Sequence, residues 1–257
     1  MTQLLNTDAI CLKLIPFRET DVIAAFYTAD LGLIRAVCRG VRKANSKLVG
    51  ACQLLTLNRL ELKPSPGGLY TLRQYARLAS FESIRQNLHS LSQASIWADV
   101  IYALGDDVDS QLIFSLLMES LLALEHLAPG SRDWIAVTLK THKHLLELAG
   151  YGNDWTHCLS CGIEISFGVP FLVFSSRLGS FYCRDCAQQA KQQGFQDWVK
   201  VSPETLQLFL NPSQSQFDTA FDKLQAFLKH TWQFRLEKPL SSFDVAASMT
   251  SGHLASV

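Results

Sequence analysis

Four cysteines stand in two pairs, Cys158-x2-Cys161 and Cys183-x2-Cys186, with 21 residues between the pairs. Two thiolates two residues apart can grip one edge of a tetrahedral ion, and a second such pair closes the opposite edge. Zn²⁺ accepts four sulfurs at about 2.3 Å and keeps no open position in such a set. With no vacancy there is no water to activate. The pattern therefore predicts one structural Zn²⁺ per chain, in a zinc finger over residues 155–190. His157 directly precedes the first ligand but is left out, because the sulfur set is already complete. Two unrelated pairs, or a redox dithiol, are the other readings of these cysteines. The remaining three, Cys11, Cys38 and Cys52, are scattered.

The second chemistry is charge. The chain is neutral overall, yet residues 1–80 carry 11 Lys and Arg against 5 Asp and Glu, and the rest carries 12 against 18. A basic N-terminal unit joined to an acidic remainder points to an anionic partner at one end. Strand alternation sorts these cations. Arg35 and Arg39 share a face of one run, and Arg73, Tyr75 and Arg77 share a face of another. A ring flanked by cations offers phosphate neutralisation and a stacking surface that tolerates any base. Arg42, Lys43 and Lys47 follow in a loop whose Asn45 and Ser46 suggest that it could close over a strand. The expected nucleic-acid contacts are therefore Arg35, Arg39, Arg42, Lys43, Lys47, Arg73, Tyr75 and Arg77. The competing reading is a solvated surface with ordinary basic decoration.

The elements that must position these groups follow from periodicity. Residues 9–15 alternate, with Ile10, Leu12 and Leu14 expected on one face and Cys11 and Lys13 on the other. Runs at 22–28 and 33–39, split by Asp30-Leu31-Gly32, read as a hairpin. Strands at 54–62 and 69–78 flank the loop Pro64-Ser65-Pro66-Gly67-Gly68. Five short strands in about 80 residues fit a small closed barrel such as an OB-fold, though periodicity alone does not separate it from an SH3-like barrel. From Ser83 the apolar spacing turns helical. Helices are expected up to Leu104, before a break at Gly105-Asp106-Asp107, then at 112–127 and at 134–148 with Gly150 as C-cap, packing together as a bundle. Residues 151–186 read as irregular. Short helices follow at 187–193 and after Ser202-Pro203, then a long one at 217–236, and 241–257 reads as a frayed tail. His142 and His144 diverge on their helix and are expected at the surface. The predicted class is α+β, with a basic OB-fold at 1–80 and an α-helical domain at 81–257 that carries the zinc finger.

Hydrophobic residues make up 48% of the 257 and charged residues 18%, which excludes global disorder. No apolar run approaches the roughly 18 residues needed to span a bilayer, and no secretory pattern opens the chain, so the expected compartment is the cytosol. No phosphate-binding Gly-x-x-x-x-Gly-Lys-Ser/Thr, nucleophile elbow, His-Glu-x-x-His or zinc-deaminase signature occurs. The chain is expected not to be an enzyme.

Taken in order, these pieces resemble the RecO family of bacterial recombinational-repair mediators. The N-terminal matches are Arg18-Glu19-Thr20-Asp21, Tyr27-Thr28 to Gly32-Leu33, Arg39-Gly40-Val41-Arg42-Lys43, Leu60-Glu61-Leu62 and Leu72-Arg73. The C-terminal match runs from Leu148-Ala149-Gly150-Tyr151 through the first cysteine pair and Phe174-Ser175 to Gly179 and the second pair. The resemblance implies an OB-fold followed by helices with a metal-binding insert. It implies binding of single- and double-stranded DNA, annealing of complementary strands, and partnership with RecR and with the acidic C-terminal tail of the single-stranded-DNA-binding protein, SSB. Through RecR, and in some pathways RecF, it implies help for RecA in replacing SSB, placing the protein in the cytoplasm with the nucleoid. The chain departs from the family in one respect: Arg235 and Lys238 are followed by a mostly neutral tail rather than a basic segment. Lys140 and Lys143, beside Leu139 and Leu146, are the expected site for the SSB tail. The rival classes are a zinc-ribbon RNA-binding protein, a metalloenzyme with an open coordination position, and a non-catalytic scaffold docking an acidic protein.

Overall fold

The computed structural model describes residues 4–105, 108–151, 154–195, 197–212 and 218–252. Asp106 and Asp107 of the expected break, Phe217 at the expected helix start and the last five residues lie outside them. By contacts the chain forms two compact units, Met1–Pro129 and Gly130–Val257.

The first unit opens with five strands: β1 (Leu5–Phe17), β2 (Asp21–Thr28), β3 (Gly32–Cys38), β4 (Leu57–Pro64) and β5 (Tyr70–Ala79). They close into a barrel in the order β1-β2-β3-β5-β4, with β3 and β5 parallel and the other pairs antiparallel. That order is the OB-fold's and decides against an SH3-like barrel. Ala9, Cys11, Val22, Ala24, Phe26, Ile34, Ala36, Cys38, Leu60, Leu62 and Leu72 fill the interior.

Alternation holds through β3 but breaks in β1. The register shifts between Cys11 and Lys13, so Leu12 is the extra residue of a bulge. Cys11 and then Leu14 therefore face inward, and the expected grouping of Ile10, Leu12 and Leu14 on one face does not form. Ile10 instead joins Tyr27 and Leu33 in a cross-strand row on the barrel's outside. All three are buried, because helices cover them.

Those helices are α1 (Glu82–Gln86), α2 (Leu88–Leu104) and α3 (Ser110–Glu125). Asn87 caps α2 and Asp109 caps α3 through their carboxamide and carboxylate oxygens. Helix α2 packs on β1, and α3 on β2 and β3. The expected three-helix bundle is thus not the arrangement. The apolar stripes of α2 and α3 are spent on the barrel's outer rows, and the next helix belongs to the second unit.

The second unit begins with α4 (Arg132–Leu146), capped by Ser131. A three-stranded sheet in the order β7-β6-β8 follows, from β6 (Leu172–Ser175), β7 (Ser180–Tyr182) and β8 (Trp198–Val201). Part of the stretch expected to be irregular is therefore sheet. Helices α5 (Arg184–Gln192), α6 (Pro203–Leu210), α7 (Asp218–Leu236) and α8 (Ser241–Gly252) complete it. The expected frayed tail is helical through Gly252, because Leu240 and Phe243 bury their side chains at its start. At the centre Trp155 stacks on Phe209 at 4.9 Å and meets Phe174, Phe181 and Phe227 edge-on. One indole so joins the sheet to α6 and α7.

Candidate nucleic-acid interface and metal centre

The eight residues expected to meet nucleic acid separate into three groups. Arg39, Arg42, Lys43 and Lys47 are exposed in the segment after β3, and Arg73 is exposed on β5. The parallel pairs Ala36↔Tyr70 and Val37↔Thr71 set the end of β3, which leads into Arg39, beside the start of β5, which leads into Arg73. Among the described residues none of these five is engaged in an ion pair. Arg59 on β4 differs, its guanidinium held by both oxygens of Asp8 at 2.8 and 3.0 Å.

Arg35 is exposed but leans on a helix. Lys13, Ala25 and Arg35 form one outer row across β1, β2 and β3, and Tyr102 of α2 lies against it. Its ring centre is 4.8 Å from Lys13 Nζ and 5.6 Å from the Arg35 guanidinium carbon. Asp99, 3.8 Å from Lys13 Nζ, adds a carboxylate to the group.

Tyr75 and Arg77 form the third group, and the expected Arg-Tyr-Arg face is not present. The β4–β5 register shifts between Glu61 and Leu62, which leaves Arg73 in a bulge. Beyond it the parity of β5 reverses: Arg73 and Gln74 are both exposed, and Tyr75 turns toward the barrel interior. Arg77 Nε donates to Asn58 Oδ1 at 2.8 Å, and Nη2 donates to Gln53 Oε1 at 3.0 Å and to the Gly50 carbonyl. Tyr75 crosses the same turn so closely that a Cβ on Gly50 would fall 1.9 Å from its hydroxyl. These two side chains hold the far end of the basic segment.

The near end is held by Asp21, which sequence reasoning missed. Its Oδ1 accepts the Gly40 N–H at 2.7 Å, and the Arg42 N–H donates to the Thr20 carbonyl at 3.0 Å. The Gly40 N–H holds the Asp21 carboxyl below its ordinary range, helped by the Thr20 hydroxyl and the charges of Arg18 and Arg39. Asp21 sits in Arg18-Glu19-Thr20-Asp21 and Gly40 in Arg39-Gly40-Val41-Arg42-Lys43, so the two motifs are physically one clamp. Asp21→Ala is expected to free the loop: trypsin should cut the native protein after Arg39 or Arg42 several-fold faster, because cleavage follows local opening. An unchanged rate would show that the clamp does not order the loop.

In the second unit the sulfurs of Cys158, Cys161, Cys183 and Cys186 all lie within 4.8 Å of one another, and could hold a metal ion. Cys161 and Cys183 are 3.7 Å apart. A tetrahedron with arms of about 2.3 Å has edges of about 3.8 Å, so the spacing fits four thiolates around one ion. The backbone builds the two halves separately. Cys158 N–H donates to the Ile163 carbonyl at 2.7 Å and Gly162 N–H to the Cys158 carbonyl at 2.9 Å, making the first knuckle. Leu159 N–H donates to the Phe181 carbonyl at 2.9 Å, tying that knuckle to β7. Cys183 then stands at the N-cap of α5 and Cys186 in its first turn, where the helix dipole favours negative sulfur.

Burial pushes the Cys158 thiol up, but N–H groups of Cys183, Cys161 and Ser160 outweigh it and bring it down to about 7. Cys186 is pushed up to about 12, first by the neighbouring Cys183 sulfur. Four adjacent thiolates repel, and a dication among them reverses that balance. His157 points elsewhere: its Nδ1 lies 2.6 Å from Asp154 Oδ2 and 2.9 Å from the Thr156 hydroxyl. Asp154 is held at about 2, mainly by the Thr156 hydroxyl and N–H and then by His157.

A close approach joins the ribbon to the turn after α4. Gly179 has φ +64°, and a Cβ there would fall 1.9 Å from a ring carbon of Tyr151, whose hydroxyl donates to the Ser176 carbonyl at 2.9 Å. Trp155 Nε1 donates to the Gly179 carbonyl at 2.8 Å. Arg235 is engaged in the same region, donating to the Ala149 carbonyl at 3.0 Å.

Two family models match, Recombination protein O N terminal over residues 1–81 and Recombination protein O C terminal over residues 85–243. The chain belongs to the RecO family. It is similar to DNA repair protein RecO of Rubrobacter xylanophilus, at 29% identity over 79% of this chain and 78% of that one. The RecO of Heliobacterium modesticaldum is 26% identical over 96% and 90%, and that of Synechococcus sp. strain JA-3-3Ab is 32% identical over 75% and 65%. The RecO barrel ends at β5 and the N-terminal model ends two residues later, whereas α2 and α3 fall in the C-terminal model but pack on the barrel. Among the described residues of this RecO chain, no helix is long and apolar enough to cross a membrane.

Proposed function

We propose that this RecO chain is a non-catalytic mediator of recombinational repair that grips single- and double-stranded DNA through Arg39, Arg42, Lys43, Lys47 and Arg73. The observation that carries this reading is a loop with four exposed, unpaired cations, held at one end by Asp21 and at the other by Arg77. Rigid ends and a charged middle suit a polyanion whose bases vary. Arg35 extends the cationic surface toward α2, while Tyr75 and Arg77 act by shaping the loop. The four sulfurs take one Zn²⁺ as a structural ion, since all four positions are filled by protein. No group here makes or breaks a bond. Gathering two strands on one cationic surface lowers their repulsion and favours annealing.

The family supplies the partners of this reading: RecR, the SSB tail, RecA and, in some pathways, RecF, acting in the cytoplasm at the nucleoid. Lys143 lines a cavity of about 280 Å³ with Leu146, Trp155, Phe209 and Leu210, which suits an apolar residue ending in a carboxylate. Lys140 is exposed on the same helix but does not line it. Glu147 and Asp154 also line the cavity, so a strongly acidic tail would meet repulsion on that side.

Strand annealing on bare and SSB-coated oligonucleotides tests the function, with Arg42→Ala/Lys43→Ala as the paired variant. Each phosphate contact to a single strand contributes about −0.7 to the slope of log affinity against log salt. Losing two should flatten the slope by about 1.4 and weaken binding at 0.1 M salt by roughly 25-fold, with annealing falling alongside. A wild-type affinity indifferent to salt would overturn the reading.

A further inference from the structure

We propose that Phe17 and Arg18, where β1 turns into β2, form a stacking post for an unpaired DNA base, so that this end of the barrel takes single strands in preference to duplex. The post rests on the nucleic-acid reading above and supplies the base contact that Tyr75, turned inward, does not make. Among the described residues the aromatic rings of the barrel strands are Phe17, Phe26, Tyr27, Tyr70 and Tyr75. Phe26 and Tyr27 are buried, and Tyr70 and Tyr75 pack against the interior. Phe17 differs. It pairs with Asp21 one step beyond Pro16↔Val22. Val22 faces the interior, so alternation sets Phe17 on the outer face. There it is partly exposed and takes no part in the interior packing.

The ring already holds a cation. The Arg18 guanidinium carbon stands 5.1 Å from the Phe17 ring centre, and Arg18 is exposed. Its φ is +55°, in the left-handed region that a turn more readily fills with Gly or Asn. An exposed arginine kept at such a position, with its guanidinium over a ring, is a plate held in place. A guanidinium is planar and stacks on aromatic faces, and unpaired bases stack on rings and guanidinium planes alike. The post stands at the clamp that holds the basic loop. Asp21, the strand partner of Phe17, accepts the Gly40 N–H, and the Thr20 carbonyl accepts the Arg42 N–H. The charges of Arg18 and Arg39 both act on the Asp21 carboxylate. A strand whose phosphates are gripped by Arg39, Arg42 and Lys43 therefore carries its bases past the post. Glu19, exposed beside Arg18, repels phosphate and leaves the post to the uncharged base. In a duplex the bases are stacked on one another and closed to the post, so duplex binding uses the loop cations alone.

The full-length, metal-loaded chain is titrated with fluorescent DNAs of equal length: an oligothymidylate, the same backbone with abasic sugars, and a duplex. The wild type is expected to bind the oligothymidylate about 5- to 10-fold more tightly than the abasic strand, the lower end of what one stacked base contributes, with equal salt slopes for the two. Arg18→Lys keeps the charge and removes the plate, and Phe17→Ala removes its support. Each should bring the oligothymidylate affinity down to that of the abasic strand while leaving the abasic and duplex affinities and the salt slopes unchanged. Phe17→Tyr should keep the difference. Arg42→Ala/Lys43→Ala should instead weaken binding of every one of these DNAs. Arg18 is exposed in a turn, so Arg18→Lys carries the test even if Phe17→Ala folds poorly. A wild type that binds both strands equally, a base preference that survives Arg18→Lys, or a loss shared equally by the abasic strand overturns the post. Binding that depends on salt but ignores bases removes the post and leaves the phosphate grip standing, whereas affinity indifferent to salt overturns both.

Discussion

Stripping the metal with a chelator is expected to unfold the cysteine ribbon while leaving the barrel folded. The first knuckle has little else to hold it. Leu159 and Ile163 are 40% and 59% exposed, and of residues 158–165 only Cys158 and Ile165 are buried. Its backbone bonds, from Cys158 to Ile163 and from Leu159 to Phe181, join segments that four sulfurs bring together. Structural zinc contributes about 10–16 kcal/mol of apparent binding energy in isolated finger peptides. Part of this unit persists without it, because Trp155, Phe174, Phe181, Phe209 and Phe227 form a core of their own. The expected loss is therefore local and amounts to several kcal/mol. Hydrogen exchange should show amides of 158–165 and 183–190 losing protection under chelator, while those of Leu60 and Leu62 in the barrel keep theirs. Metal analysis should return about one ion per chain. A reduced, metal-free preparation with identical protection and four freely titrating thiols would end the reading of these cysteines as a structural centre.

What could be read from residue order alone depended on whether local periodicity survives in three dimensions. In β3 it survives, so Ile34, Ala36 and Cys38 face inward and Arg35 outward as alternation dictates. In β1 and β5 a bulge inserts one residue and inverts everything beyond it. A closing barrel needs such bends, and period-two counting has no means of finding them. That is why Tyr75 and Arg77 read as a stacking face when they are the internal brace of the loop. The cysteine centre was legible because ligand spacing is short-range chemistry. The sheet that supports it was not, since strands of four, three and four residues are too short to show alternation. Asp21 was legible only as part of a motif; its partner Gly40 is 19 residues away, and only the hairpin brings them together.

His142 shows the same limit and carries a large expected effect. As one of two histidines two apart it reads as a surface residue. Yet it lies three residues after Leu139 and three before Leu145 on α4, inside the buried stripe, and is 0% exposed. Trp232 Nε1 on α7 donates to its Nδ1 at 3.3 Å, and the Phe243 ring of α8 lies 6.1 Å away. Burial brings its pKa down to about 3. In the unfolded chain the imidazole takes a proton near pH 6.5; in the folded chain it stays neutral. Between those values the unfolded state binds one more proton, so folding stability is intact above pH 6.5 and falls as pH drops toward 3. The loss is about 1.4 kcal/mol per pH unit, or about 2 kcal/mol at pH 5. Asp154, held at about 2, contributes in a different window, below the ordinary carboxylate range. Urea unfolding followed by tryptophan fluorescence at pH 7.5 and pH 5 should show this drop in the wild type. In His142→Asn the side-chain oxygen can still accept from Trp232 but does not titrate, so the pH 7.5 stability should shift modestly and the slope between the two pH values should largely disappear. If the variant loses stability between pH 7.5 and pH 5 as steeply as the wild type, another group carries the acid sensitivity and the buried imidazole does not control how α4, α7 and α8 hold together.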